Sequence, residues 1–191
     1  MILLAALFLG LLAGWGWARW RRQPYRAPEF KYVWLVPVAL LPQVLVMYVP
    51  GIVGIGRAGA ASAALPLSLL TFLVFVWLNR SLPGMPILLT GLILNLLVIS
   101  ANGGWMPISP QTASHLPGGG TAGGYAPGDR FGAKDILLVP EGTRLEFLAD
   151  RFLIPPWLHY PTAFSLGDVF VAVGAFWLLA RQPAAPITHL E

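Results

Sequence analysis

One aspartate lies inside the last apolar run of the chain. Asp168 follows Ser165 by three positions in the stretch FSLGDVF. A charged side chain at the centre of a bilayer costs at least about 2.5 kcal/mol, so such residues are candidates for a functional role. The spacing S-x-x-D is also the pattern of a helix capping box, in which the aspartate reaches back to the capping serine. We therefore interpret Asp168 as a capping residue, with a catalytic carboxylate as the alternative.

A second polar side chain lies in the middle of another apolar run. Asn95 is surrounded by GLILNLLVIS, and an amide in this position can form a hydrogen bond with a neighbouring helix, which contributes about 1 kcal/mol in a membrane. We interpret Asn95 as a packing contact between helices. If Asp168 is catalytic, Asn95 is its candidate polar partner.

The remaining candidate site residues lie in the polar region that follows. Asn102 precedes two glycines and predicts the end of a helix, because Asn and Gly readily adopt the left-handed backbone conformation. Trp105 is typical of an aromatic anchor at a membrane interface. Together with Asp135 and Asp150, these two residues form the set that we predict could bind a ligand or partner.

Several kinds of site are excluded by the residues that are present. The chain has no cysteine, so it has no disulfide and no Cys-ligated metal. The three histidines, at positions 115, 159 and 189, are far apart and outside the apolar runs, which argues against a haem held by two histidines. The glycine-rich run 118–124 lacks the Lys-Ser or Lys-Thr of a phosphate-binding loop and is typical of a flexible linker. We predict no cofactor and no metal.

The composition is that of an integral membrane protein. Hydrophobic residues make up 57% of the 191 residues and charged residues only 10%, against about 25% charged in soluble domains. The 12 basic residues outnumber the 8 acidic ones, but most of the excess lies beside apolar runs, where it orients helices. We therefore expect the lipid bilayer as a partner, with a lipid-linked ligand or another membrane protein as a further partner, and no nucleic acid.

Five apolar runs are separated by turns and by one long polar region. These runs cover residues 1–18, 32–55, 61–78, 85–101 and 164–180. They predict an all-α polytopic membrane protein with about five transmembrane helices and a small extracytoplasmic loop domain. The predicted divisions are a four-helix transmembrane part at 1–101, the loop domain at 102–163, a fifth transmembrane helix at 164–181 and a cytoplasmic tail at 182–191.

The loop domain is predicted to combine a short strand with a surface helix. The stretch DILLV, at 135–139, is apolar and β-branched and favours a strand. The stretch TRLEFLADRF places Leu145, Leu148 and Phe152 on one helical face. We expect that helix to lie along the membrane surface.

Arginine and lysine in the short connections predict the orientation. Arg57 alone lies on one side of the predicted membrane, and the other side carries seven basic residues, which are Arg19, Arg21, Arg22, Arg26, Lys31, Arg80 and Arg181. Short cytoplasmic loops are enriched in such residues. We predict a multi-pass protein of the plasma membrane with its N-terminus outside and its C-terminus in the cytoplasm. The first run is followed, not preceded, by arginines and is interpreted as an uncleaved anchor.

Two stretches carry a resemblance to known families. At NLLVISANGGWMP and TRLEFLADRFLIPPWLHYPTAFSLGDVFVAVGAFWLL the chain resembles a bacterial membrane family, domain of unknown function 5317, which implies no activity. The stretch FSLGDVFVAVGAF is also similar to the last-helix pattern F-N-x-A-D of signal peptidase II, a membrane aspartyl enzyme. That similarity implies a catalytic role for Asp168, but Val98 stands where the second aspartate belongs. Asp135 or Asp150 would have to replace it.

These observations lead to three hypotheses about function. The first is a non-catalytic binding or assembly component of the membrane. The second is an aspartyl-type membrane hydrolase related to signal peptidase II that uses Asp168. The third is a small transporter or channel, which is disfavoured because the apolar runs lack a chain of ionisable residues.

Overall fold

The computed structural model describes residues 2–48, 58–117, 126, 128–132, 134–155, 158 and 160–181. Most of this part of the chain is helical, and the strands are short. The helices are α1 (Ile2–Trp20), α2 (Leu35–Tyr48), α3 (Ala58–Leu78), α4 (Met85–Ala101), α5 (Pro110–Ala113) and α6 (Leu166–Ala180). The strands are β1 (Met106–Ile108), β2 (Arg130–Phe131), β3 (Asp135–Leu137), β4 (Phe152–Leu153) and β5 (Ala163–Phe164).

Five of the helices fall on the five predicted apolar runs, and α4 has the predicted bounds. The description all-α is incomplete, because five short strands lie between α4 and α6 where only one was predicted. Some predictions lie outside the described residues. They concern the end of the second run, Arg57, the glycine-rich run 118–124, His159, His189 and the tail 182–191.

One helix in the described part of the chain, α1, is long and apolar enough to cross a membrane by length and composition. Four shorter apolar helices accompany it, at Leu35–Val46, Ser62–Leu78, Met85–Ala101 and Leu166–Ala180. Five membrane spans therefore stay a prediction.

The long helices pack in a row. Helix α1 packs mainly on α6, α6 on α4, α4 on α3, and α3 on α2. Asn79, at the end of α3, fixes the connection between α1 and α2: its side chain accepts a hydrogen bond from the Lys31 amide at 2.7 Å and donates one to the Lys31 carbonyl at 3.0 Å. At the C-terminal end of α6, the hydroxyl of Tyr25 donates a hydrogen bond to the carbonyl of Leu179.

Glycines allow α4 and α6 to approach closely. Gly91 lies against Gly167, and Gly84 lies against Gly174, so two pairs seven residues apart face each other in antiparallel helices. A Cβ atom added at Gly91 would lie 2.5 Å from the carbonyl oxygen of Gly167, and one at Gly174 would lie 2.5 Å from the amide nitrogen of Leu88. Because these neighbours are backbone atoms, larger residues would force the helices apart.

Helix α1 uses the same kind of contact. Its buried residues are Gly10, Gly14 and Ala18, spaced by four on one face. A Cβ atom at Gly10 would lie 2.8 Å from the carbonyl oxygen of Phe176 in α6. Small residues at intervals of four are a common feature of helix contacts within membranes.

Strands β4 and β5 form a separate antiparallel pair, whereas the other three strands form a small sheet at the C-terminal end of α4. Its order is β1-β3-β2, with β1 parallel and β2 antiparallel to β3. Asn102 caps α4, and Gly103 and Gly104 have positive φ angles, which confirms the predicted helix end and leads the chain directly into β1. Met106 of β1 packs with Val98 of α4, so the sheet is attached to the helix through a shared apolar cluster.

The predicted surface helix at 143–152 is wrong. The segment contains a single 3-10 turn, Glu146–Leu148, preceded by Leu145 with a φ of 55°. Leu148 is buried, whereas Leu145 and Phe152 are exposed, so the three do not share a face. The ends of the segment explain this result, since Arg144 is hydrogen-bonded to the side chain of Asn102 and the backbone of Asp150 joins β1. Those contacts occupy backbone groups that a helix would need.

We expect Gly91→Ala to lower the thermal stability of the detergent-solubilised protein, because the added methyl group meets backbone atoms of α6. Overpacking of this kind costs about 1–3 kcal/mol. Gly16 is the matched control, since it also lies in a helix but a Cβ atom there has no neighbour within 4 Å. Gly16→Ala should be neutral or stabilising, as Ala is favoured over Gly in helices by about 0.5–1 kcal/mol. Equal melting temperatures for both variants would contradict the packing described here.

Candidate functional site

A polar network connects α4 and α6 near the loop domain. Asn95 donates a hydrogen bond from Nδ2 to Oδ1 of Asp168 at 2.8 Å. Ser165 donates from Oγ to Oδ1 of Asn95 at 2.9 Å. Both Asn95 and Ser165 are buried. The predicted hydrogen bond between Asn95 and a neighbouring helix is thereby confirmed, and its acceptor is Asp168.

The same network contains the predicted capping box. The amide of Asp168 donates to Oγ of Ser165 at 3.0 Å, and the amide of Ser165 donates to Oδ2 of Asp168 at 3.2 Å. Both carboxylate oxygens of Asp168 therefore accept a hydrogen bond. Gly167 is needed between the two residues because a Cβ atom there would collide with the amide group of Asn95.

A second charged cluster lies in the sheet. The ammonium group of Lys134 lies 2.6 Å from Oδ2 of Asp150 and 3.7 Å from Oδ1 of Asp135. The carboxylate of Asp150 is 1% exposed and that of Asp135 is 14% exposed, while the Lys134 side chain is 45% exposed. Oδ1 of each aspartate is buried and has no hydrogen-bond partner among the described residues.

Strand pairing places these three residues together. Lys134 precedes β3, and its carbonyl accepts a hydrogen bond from the amide of Met106 in β1. Asp135 pairs with Met106 across the two parallel strands. On the other side of β1, Asp150 forms a parallel bridge with Ile108. Lys134 and Asp150, which are 16 positions apart in sequence, thus meet through a strand that precedes both.

Burial and the neighbouring charges shift the pKa values of all three residues in this cluster. Burial raises the pKa of Asp135 to about 7; Lys134 opposes this shift, and Asp150 and Asp168 add to it. Burial also raises the pKa of Asp150, again against the effect of Lys134. For Lys134, burial lowers the pKa, but the carboxylates of Asp150 and Asp135 outweigh burial and raise it overall. Because Asp168 contributes to all three shifts, the sheet cluster and the α4–α6 network are electrostatically coupled.

The other two predicted binding residues have structural contacts. Asn102 donates from Nδ2 to the carbonyls of Val98 and Arg144, and its Oδ1 accepts from the amide of Arg144. The guanidinium group of Arg130 lies 4.1 Å from the ring centre of Trp105. These contacts attach the loop segments to the end of α4 and involve no side chain of the charged cluster.

Sequence reasoning did not identify Lys134 as a member of the site. One signal was present, because Lys134 is one of only two lysines in the chain and directly precedes Asp135 at the start of the predicted strand. The partner Asp150 could not be found this way, since their contact depends on the pairing of both segments with β1.

A cavity of about 170 Å³ lies beside Asp150. Its polar lining includes Ser109, Gln111, Glu146 and Arg151. Typical small-molecule sites are larger, at about 300–1,000 Å³, so this cavity is too small for most cofactors. Among the described residues, no group of three or more His, Asp or Glu side chains is arranged to hold a metal ion.

We predict that Asp135 makes stability depend on pH. Its folded-state pKa of about 7 lies above its ordinary value of 3.8, so folding favours the protonated carboxyl group. The contribution of this group to the free energy of unfolding is therefore complete below pH 3.8 and is lost as the pH rises through about 7. Asp135→Asn should therefore melt at increasingly higher temperatures than the wild type as the pH rises from 4 to 8. Glu141→Gln, at an exposed loop position, is the control and should follow the wild type. Parallel curves for Asp135→Asn and the wild type would contradict the burial of this carboxylate.

Comparison with known proteins gives one match. A sequence profile for a family of unknown function, DUF5317, matches residues 28–180. No curated protein and no solved structure matches the chain, so the similarity to signal peptidase II is not supported by these comparisons. Since the profile covers most of the chain, including the α4–α6 network and the sheet cluster, the protein belongs to the DUF5317 family.

Proposed function

We propose that this protein is a multi-pass component of the plasma membrane with five spans, in which an outward-facing loop domain binds a membrane partner without catalysing a reaction. The surfaces of the helices support the membrane location. Large apolar side chains are exposed on all five long helices, among them Phe8, Leu41, Leu70, Leu97 and Val173. Water would solvate this surface poorly, whereas lipid chains would cover it.

The arrangement of the helix ends supports the proposed orientation. The contacts of Tyr25 with Leu179 and of Lys31 with Asn79 hold the C-terminal ends of α1, α3 and α6 on one side of the row. The basic residues near these helix ends are Arg19, Arg21, Arg22, Arg26, Lys31, Arg80 and Arg181. The sheet is at the other side, following the end of α4. Positive charge is enriched on the cytoplasmic side of membrane proteins, so the loop domain is proposed to face outward.

The hydrogen bonding of Asp168 is the observation that supports the non-catalytic role. Both of its oxygens accept hydrogen bonds, one from Asn95 and one from the backbone of Ser165. A general base must reach the proton that it removes, either directly or through one water. A carboxylate held in this way supports the helix start and the contact between α4 and α6.

The proposed partner is a lipid-linked group or another membrane protein. The cavity beside Asp150 is smaller than typical sites for small molecules. We propose that recognition by the loop domain takes place over its surface, near the ends of the helices.

Cysteine labelling can test the proposed topology, because the chain has no native cysteine. Ser114 and Ser81 are both exposed. Ser114 lies in the loop domain beyond the C-terminal end of α4, and Ser81 follows the C-terminal end of α3, so the two are on opposite sides of the proposed membrane. We expect Ser114→Cys to react with a membrane-impermeant reagent in intact cells and Ser81→Cys to react only after the cells are opened. The reverse pattern would contradict the orientation, and labelling of both in intact cells would contradict the membrane location.

A second candidate function is an aspartyl hydrolase. It is favoured by the electrostatic coupling of Asp168 with Asp135 and Asp150, two buried carboxylates with raised pKa values. Paired carboxylates in aspartyl enzymes share one proton, so that one acts as base and the other as acid. Asp135, whose pKa is raised to about 7 by burial, would supply the protonated form.

The variant Asp168→Asn separates the two candidates. An asparagine can accept only one of the two hydrogen bonds, so we expect a loss of about 1–2 kcal/mol in unfolding free energy, with function in a deletion strain retained. Ser165→Ala is the control, because it removes part of the same cap but keeps the carboxylate. A folded Asp168→Asn protein that fails to complement, beside a functional Ser165→Ala protein, would contradict the non-catalytic role and favour the hydrolase.

A further inference from the structure

We propose that the loop domain itself enters the outer leaflet of the membrane through an aromatic patch. This patch consists of five exposed side chains, which are Leu145, Phe147, Phe152, Leu158 and Tyr160. The inference rests on the membrane location proposed above and adds a second lipid contact that the helices do not provide. The occupant of the patch is the boundary between the headgroups and the acyl chains.

Asn102 fixes the height of the patch relative to the helices. As the cap of α4, it marks the end of that helix. Its side chain binds both the amide and the carbonyl of Arg144, at 3.0 Å and 2.8 Å. The segment that begins at Arg144 is therefore held at the level of the helix end.

The backbone after Arg144 directs apolar side chains outward. Leu145 has a φ of 55°, in the left-handed region, where non-glycine residues are uncommon. Leu148 is buried against Val98 and Ile99 and fixes the 3-10 turn on α4. Phe147, its neighbour on the same turn, is 57% exposed. This turn thus places Leu148 against α4 and leaves its neighbour Phe147 at the surface.

The other half of the patch lies at the start of α6. Phe152 of β4 stacks on Phe164 of β5 with ring centres 5.6 Å apart. Phe164 directly precedes Ser165, the cap of α6. Leu158 and Tyr160 belong to the connection between β4 and β5 and are about half exposed. Both parts of the patch are therefore attached to helix ends that face the same side.

The chemistry of the patch fits lipid better than water. Aromatic residues, tyrosine in particular, are enriched where the bilayer meets water, because the ring is apolar and the hydroxyl group is hydrated. Arg144 is exposed beside the patch, and a long basic side chain can extend its charge toward the headgroups while its stem covers apolar surface.

Spin labelling can test the patch in the full-length protein, since no native cysteine has to be removed. Nitroxide labels at Phe147→Cys and Leu158→Cys would be measured in vesicles of phosphatidylethanolamine and phosphatidylglycerol. Oxygen, which concentrates in lipid, and a water-soluble nickel chelate serve as collision partners. Leu97→Cys, on the exposed surface of α4, is the lipid control, and Glu141→Cys, on an exposed turn, is the water control.

We expect the labels at 147 and 158 to collide severalfold more often with oxygen than with nickel, as the label at 97 should. If they behave like the label at 141 while the label at 97 stays in lipid, the aromatic patch is wrong and the membrane location stands. If the label at 97 also collides mainly with nickel, the membrane location itself is wrong. Protection of 147 and 158 from both partners would overturn the lipid contact in favour of cover by a second copy of the chain.

Discussion

The distance between α4 and α6 is the constraint on which the structure depends. Gly91 and Gly167 permit backbone contact between these helices, and only at that separation can the short side chain of Asn95 reach both Ser165 and Asp168. In a membrane, helices gain little from the hydrophobic effect on association, so close packing and interhelical hydrogen bonds supply the attraction. The glycines and the polar network are thus two parts of one contact.

This contact also determines where the loop domain is attached. Helix α4 leads into β1 and α6 begins after β5, so the loop domain as a whole is held at both of its chain ends by the same helix pair. The charged residues lie at this junction, with Lys134 between the buried Asp150 and the partly buried Asp135. Buried ion pairs contribute little net stability because desolvation offsets their attraction. The ion pair between Lys134 and Asp150 instead fixes the position of the two segments that flank β1.

Much of the helical part could be predicted from the sequence. The bounds of α4, the cap formed by Ser165 and Asp168, and the helix end at Asn102 all follow from local patterns of apolar, capping and glycine residues. The segment after Arg144 could not be predicted in this way. Its helical periodicity is overridden by contacts with Asn102 and with β1, which are distant in sequence. For the same reason the grouping of Lys134, Asp135 and Asp150 was not predicted.

The pairing of α4 with α6 has a consequence for how the protein is made. Gly91 and Gly167 are about 75 residues apart, so at about 5–20 residues per second the ribosome needs several seconds to supply the partner of α4. During that time the glycine face and the amide of Asn95 are available to α3 and, in the membrane location proposed above, to lipid or to the insertion machinery. The sheet residues emerge within the same interval. Helix α6 would then join α4 and a sheet that are already made, and its arrival would close the polar network.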